Sequence, residues 1–192
     1  MLSRDDLLSL ETYAEQRPEF RAKVIAHKKD RQLRLGENAT LYFEDQLTMQ
    51  YQIQEMLRIE RIFDAEGIKE ELDTYNPLIP DGSNWKATFM IEFTDENDRK
   101  AALAKMIGIE DKVWMQVAGH ERIYAIADED LERDNAEKTS AVHFLRFELT
   151  AEMVEAVKAG ADIGSGIEHA AYNESITVLP AHIRDSLAAD LA

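Results

Sequence analysis

Glu60 and His143 are the two side chains whose setting in the sequence calls for a partner. On a helical wheel of about 100° per residue, Met49, Ile53, Met56, Leu57 and Phe63 form one apolar stripe, and Glu60 projects from its centre. Burying a carboxylate with no partner costs several kcal/mol, so this position predicts an Arg, a His, a metal ion or a captured proton to meet it. Arg58 lies three residues from Glu55 and can pair with it on the surface, but it lies two from Glu60 and points elsewhere. The partner of Glu60 is therefore expected from another part of the fold.

His143 sits in the run Ser140 to Leu149, where strand alternation puts it on the face of Leu145, Phe147 and Leu149. A histidine there is either a hydrogen-bonded core residue or a ligand. With Glu60 it supplies two candidate ligands of a divalent metal, and two ligands do not complete a site. Glu92 lies on the opposite face of its strand from Phe89, Ile91 and Phe93. Aligning Phe93 with Phe147 sets Glu92 against Arg146 and predicts a cross-strand ion pair. His120 and His169 lie beside turns and are expected to be exposed.

Composition narrows the chemistry. With no cysteine among 192 residues, disulfides, thiol nucleophiles, thiolate zinc sites and cysteine-bound iron–sulfur clusters are excluded. Any metal must use His, Asp, Glu or water. The net charge of −16 opposes nucleic acid. That charge is unevenly spread: residues 1–34 hold eight basic residues against six acidic ones, and the remainder hold fourteen against thirty-two. Within this basic island Lys28, Lys29, Arg31 and Arg34 are the candidates for docking an acidic protein partner, the alternative being a solvated helix face. No apolar segment approaches a membrane span and the N-terminus lacks the pattern of a secretory signal, so a cytoplasmic location is expected. The glycine pattern at Gly160, Gly164 and Gly166 fits no dinucleotide or nucleophile motif.

The elements that must position these residues read as an α+β fold, a single domain over 1–192 with a helical part to about residue 80 and a strand-rich part from about 85. A short helix through Gln16 and a second from Pro18 are expected first. A strand at Leu41 to Phe43 follows, then a helix from Met49 to about Ala65, capped by Thr48 and stopped by Gly67. Asn76 to Gly82 reads as an irregular loop. Beyond it, a strand at Ala87 to Phe93, a helix to Met106 and strands at Val113 to Val117 and Ile123 to Ala127 form one set. A strand at Ala141 to Leu149, a helix from Thr150 to Gly160 and two further strands repeat that order. Two tandem strand-helix-strand-strand units on an antiparallel sheet are the expected architecture, with a last helix after Pro180.

The segments Leu41 to Thr48 and Gln52 to Arg61, the run Tyr75-Asn76-Pro77-Leu78-Ile79-Pro80, the Ser140 to Leu149 strand and Ile167 to Tyr172 resemble the bacterial family called domain of unknown function 3501. The resemblance covers nearly the whole chain and transfers no catalytic residue. Genes of that family often stand beside those of rubrerythrin and an iron–sulfur oxidoreductase, which implies a setting of iron or peroxide handling. Two functions follow as expectations: an accessory or binding protein of an iron or oxidative-stress system, or a small non-haem metal-binding protein or metalloenzyme built on carboxylate and His ligands. Whether the chain is an enzyme is left open by the residues.

Overall fold

In the computed structural model, which describes residues 1–192, Ser9 caps a helix, α1 (Leu10–Lys28), by accepting the Thr12 amide at 3.2 Å. The break expected at Pro18 does not occur. Proline removes one intrahelical hydrogen bond, and the helix formers on either side, Glu15, Gln16 and Glu19, carry α1 through it. Two strands follow, β1 (Gln32–Leu35) and β2 (Ala39–Phe43); the first was not anticipated, because only Leu33 and Leu35 mark its inward face.

The next helix, α2 (Gln46–Glu60), starts earlier and stops earlier than its apolar stripe suggests. Asp45 is its N-cap, accepting the Thr48 amide at 2.9 Å while the Thr48 hydroxyl accepts the Asp45 amide in return. Arg61 ends it in a left-handed conformation with φ 54°. Asp64 then caps α3 (Ala65–Tyr75), so Gly67 lies inside a new helix instead of closing the old one.

The chain resolves into two units. One comprises Met1–Asp30 and Glu44–Pro80, the other Arg31–Phe43 and Asp81–Ala192. In the helical unit, Met49, Ile53 and Leu57 of α2 share a core with Leu2, Leu72 and Ile79. A buried amide and a half-buried one hold its N-terminal segment: Gln54 bonds Leu8 N and O at 2.6 and 3.2 Å, and Asn76 bonds Leu2 N and O at 2.8 and 2.9 Å. Each primary amide thus satisfies one backbone donor and one acceptor, as a neighbouring strand would.

The second unit adds β3 (Asn84–Ile91), α4 (Glu96–Lys105), β4 (Val113–Val117), β5 (Arg122–Tyr124), β6 (Ile126–Ala127), β7 (Val142–Glu148), α5 (Ala151–Lys158), β8 (Ile163–His169), β9 (Tyr172–Ile176) and α6 (Ala181–Ala188). The fold class is α+β, with two antiparallel sheets ordered β1-β2-β3-β7-β6 and β5-β4-β8-β9. The repeated order of elements is present in this topology. Strands β3 and β7 pair with each other in one sheet, β4 and β8 pair in the other, and β5 and β9 flank them on either side. Each strand-helix-strand-strand set therefore crosses from one sheet to the other. Phe89, Phe147, Met115 and Ile163, all fully buried, belong to one core shared by the two sheets. Gly166 on β8 is required by a close approach, since a Cβ there would meet the Trp114 ring at 2.5 Å.

Candidate functional site

Alternation along β7 buries His143, Leu145 and Phe147 and directs the residues between them outward. His143 is 0% exposed and stands opposite Phe89 in the ladder, with ring centroids 6.3 Å apart. A polar ring in that core must be satisfied, and the chain supplies partners on both of its edges.

Asp128 supplies one edge. It follows β6 with φ 49°, a left-handed turn that short polar side chains tolerate. Its N–H donates to Phe144 O at 2.8 Å and its Oδ1 accepts Phe144 N at 2.9 Å, so this residue extends the β6–β7 pairing with its own side chain. The other carboxylate oxygen, Oδ2, lies 2.5 Å from His143 Nδ1. Arg133 reaches Asp128 Oδ1 at 2.9 Å and clamps Asp130 at 2.6 and 2.8 Å, with its guanidinium 4.7 Å from the centre of the Phe144 ring. That clamp holds the Asp130 carboxyl down at about 2.

On the other edge, His143 Nε2 faces Thr139 Oγ1 at 2.9 Å and Ser140 O at 3.1 Å. Thr139 in turn donates its hydroxyl to Asp134 Oδ1, whose second oxygen accepts Gly108 N at 2.8 Å. Glu110, on the short helical turn Ile109–Lys112, completes the group with Oε2 at 3.9 Å from His143 Nε2. That oxygen is buried and accepts no hydrogen bond, while the Asp134 carboxylate beside Glu110 can accept a proton that Glu110 carries. Burial, and then the Asp134 carboxylate beside it, push the Glu110 carboxyl up to about 7 against the pull of His143 and the backbone.

One ligand atom from each of Glu110, Asp134 and His143 lies within 4.8 Å of the others. Donors bound about 2.0–2.2 Å from one ion stand about 3–4.2 Å from each other. The Glu110 to His143 spacing already falls in that range, and the widest spacing needs to contract by less than about 1 Å to reach it. Asp128 Oδ2 behind Nδ1 holds the imidazole with Nε2 turned towards Thr139 and Glu110. The cluster opens onto a cleft of about 730 Å³ lined by Ile107, Gly108, Glu110 and Asp111 on one side and Ala127 to Ala136 on the other.

The family described as Protein of unknown function (DUF3501) matches residues 1–191. The chain belongs to this family. It is similar over its full length to a solved structure from Burkholderia pseudomallei K96243, described as a novel protein of unknown function, with 54% identity, a TM-score of 0.94 and 99% of that chain covered. No curated protein matches. Neither comparison carries a statement about iron, oxidative stress or metal.

In this DUF3501 chain the two metal candidates named from sequence fare differently. His143 is buried in a polar cluster, and all its partners come from its own unit. Glu60 is the last residue of α2 and is exposed, because the helix ends before Phe63 can complete the stripe; Phe63 itself is 77% exposed. Its charge is felt by Glu71, whose carboxyl is raised by burial and by Glu60. The buried carboxylate of α2 is instead Glu55, which Arg17 holds at 2.8 and 2.9 Å.

Among the docking candidates, Lys28, Lys29 and Arg34 are exposed. Arg31 is not a surface residue. It is 2% exposed, donates to Phe43 O at 2.9 Å and to Ser186 Oγ at 3.0 Å, and pairs with Asp190 at 2.6 Å. Nor do Glu92 and Arg146 pair. Register sets Arg146 opposite Lys86, Arg146 binds Glu129 and Glu148, and Glu92 accepts the Tyr42 hydroxyl at 2.8 Å. Sequence reasoning missed Glu110, Asp128 and Asp134. Its available signal was the acidic segment Asp128 to Asp134 placed just before the His143 strand.

Proposed function

We propose that this protein binds one first-row divalent metal ion through His143 Nε2, Glu110 and Asp134, with Asp128 orienting the imidazole. The observation that carries the reading is Glu110 Oε2, a buried carboxylate oxygen that accepts no hydrogen bond, 3.9 Å from the nitrogen that would share the ion. Folded proteins seldom leave such a group unmet, and a cation there replaces the missing donor. One imidazole and two carboxylates suit zinc, manganese, iron(II) or cobalt, and three protein ligands leave positions open towards the cleft. Binding requires Nε2 to exchange its contacts with the Thr139 hydroxyl and Ser140 O for the ion.

One observation favours a second reading. Ser140 O lies 3.1 Å from Nε2, which suits a ring that donates from both nitrogens and a cluster that stores a proton among its carboxylates. Elemental analysis of chelator-stripped protein after dialysis against each metal separates the two. The metal reading expects one equivalent in the wild type and its loss in both Glu110→Gln and His143→Gln. Protein that takes up no ion, or the same amount in those variants, is the result that defeats it.

A further inference from the structure

The cleft in front of the cluster carries charge of one sign. Beyond Glu110 and Asp134 its wall holds Asp111, Asp128, Glu129, Asp130 and Glu132, and its one cation is Arg133. That guanidinium is already committed to Asp128 and Asp130, while Glu129 is paired with Arg146. Asp111 and Glu132 are exposed and have no cationic partner. An incoming phosphate or carboxylate would therefore meet uncompensated negative charge with no free guanidinium or ammonium to receive it. At the floor lies the buried, unpartnered oxygen of Glu110.

We infer that this cleft is a cation-selective vestibule, which draws in small cations, above all a hydrated divalent metal ion, and turns away metal chelates and substrates bearing phosphate or carboxylate groups. The assignment of a metal to its floor rests on the reading proposed above; the charge selectivity of the vestibule does not. Concave walls of one charge concentrate the field and raise the local concentration and arrival rate of the opposite charge by about 10–10³-fold at low salt. The effect falls as the Debye length shrinks from about 30 Å at 0.01 M to about 8 Å at 0.15 M. Neutral ligands such as water still enter, so an ion on the floor would keep exchangeable positions.

The test uses the full chain, stripped of metal and labelled with nitrogen-15 at low ionic strength, and two nitroxides of the same ring, one bearing an amine and one a carboxylate. Paramagnetic broadening is read at the amides of Gly108, Leu131 and Asn135 along the cleft. The expected result is broadening by the cationic probe at least roughly fivefold above that of the anionic one. That ratio should shrink by at least about half in Asp111→Asn/Glu132→Gln or on raising the salt to 0.15 M. Equal broadening by the two probes, or a ratio indifferent to the double variant, overturns the vestibule. Calorimetric titration of the same sample with manganese(II) or zinc(II) reads the other claim. A preserved probe ratio without metal uptake supports the vestibule and overturns the metal assignment of its floor, whereas metal uptake with equal broadening does the reverse.

Discussion

Glu55 and Glu110 are alike in solvent exposure, 8% and 9%, though more of the protein surrounds Glu110, and their carboxyl groups shift in opposite directions. For both, burial is the largest influence and favours the protonated form. At Glu55, in the helical unit, hydrogen bonds from Arg17 and Tyr51 and the nearby Arg17 and Arg58 charges outweigh it and keep the carboxyl below its usual range. At Glu110, in the sheet unit, burial and the Asp134 carboxylate outweigh a backbone hydrogen bond and the His143 charge, and the group rises to about 7. Burial alone does not set the charge state of an acid; its donors do. A carboxylate with its donors in place is part of the architecture, and one without them is poised to take up a cation or a proton.

The largest way to break this contrast is to give Glu55 the condition of Glu110. Arg17→Leu strips its main donor, and the urea midpoint at pH 7 should fall further than for any other variant here, because Glu55 is left with only Tyr51 and the more distant Arg58 to meet it. An unchanged midpoint would mean that Arg58 and Tyr51 suffice. Glu110→Gln works in the opposite sense. With a folded pKa raised to about 7 above an unfolded value near 4.5, the folded state holds a proton that the unfolded state has lost. Metal-free wild type should therefore lose stability as pH rises from about 4.5 to about 7 and then level off. The variant should lack that slope and gain about 2 kcal/mol at pH 8, less than the full shift because its amide needs partners of its own. Thermal unfolding at pH 5 and pH 8 checks the sign.

Asp128→Asn sharpens the picture at the orienting residue. The amide loses the charge that holds Arg133 in either orientation and turns its NH₂ against either His143 Nδ1 or the Phe144 N–H, and a cost of about 1–2 kcal/mol in urea unfolding is expected, together with weaker metal uptake. A variant that binds metal as the wild type does would remove Asp128 from the site. The smallest effect belongs to Glu60→Gln. At an exposed helix end it should change stability by less than about 0.5 kcal/mol, and a larger loss would restore the buried partner that the apolar stripe first suggested.

Much of the sheet unit was legible because short-range patterns determine it. Alternation at Val142 to Glu148 placed His143 inward, and Thr150 and Pro180 marked where helices α5 and α6 begin. The repeated element order was readable too, though each repeat divides between two sheets instead of lying in one. Local signals misled at α2. The wheel ran the helix through Phe63, while Arg61 turns the chain left-handed and leaves Glu60 in solvent. The site itself was legible only at His143. Glu110, Asp128 and Asp134 come from a helical turn, a strand end and a loop, and what gathers them is the Asp128 turn and the hold of Gly108 N and Thr139 on Asp134. These are tertiary contacts with no period in the sequence.

Site-resolved titration of the side-chain carboxyl carbons of Glu55 and Glu110 by NMR, with and without one equivalent of zinc(II), tests the contrast most directly. Glu55 should titrate below the ordinary glutamate range under both conditions. Glu110 should titrate near 7 in the metal-free protein and be ionised throughout the neutral range once the ion is bound, because a ligating carboxylate must shed its proton. A Glu110 that titrates with an ordinary glutamate pKa, or near 7 whether or not zinc is present, would contradict the assignment of this carboxylate to a metal site.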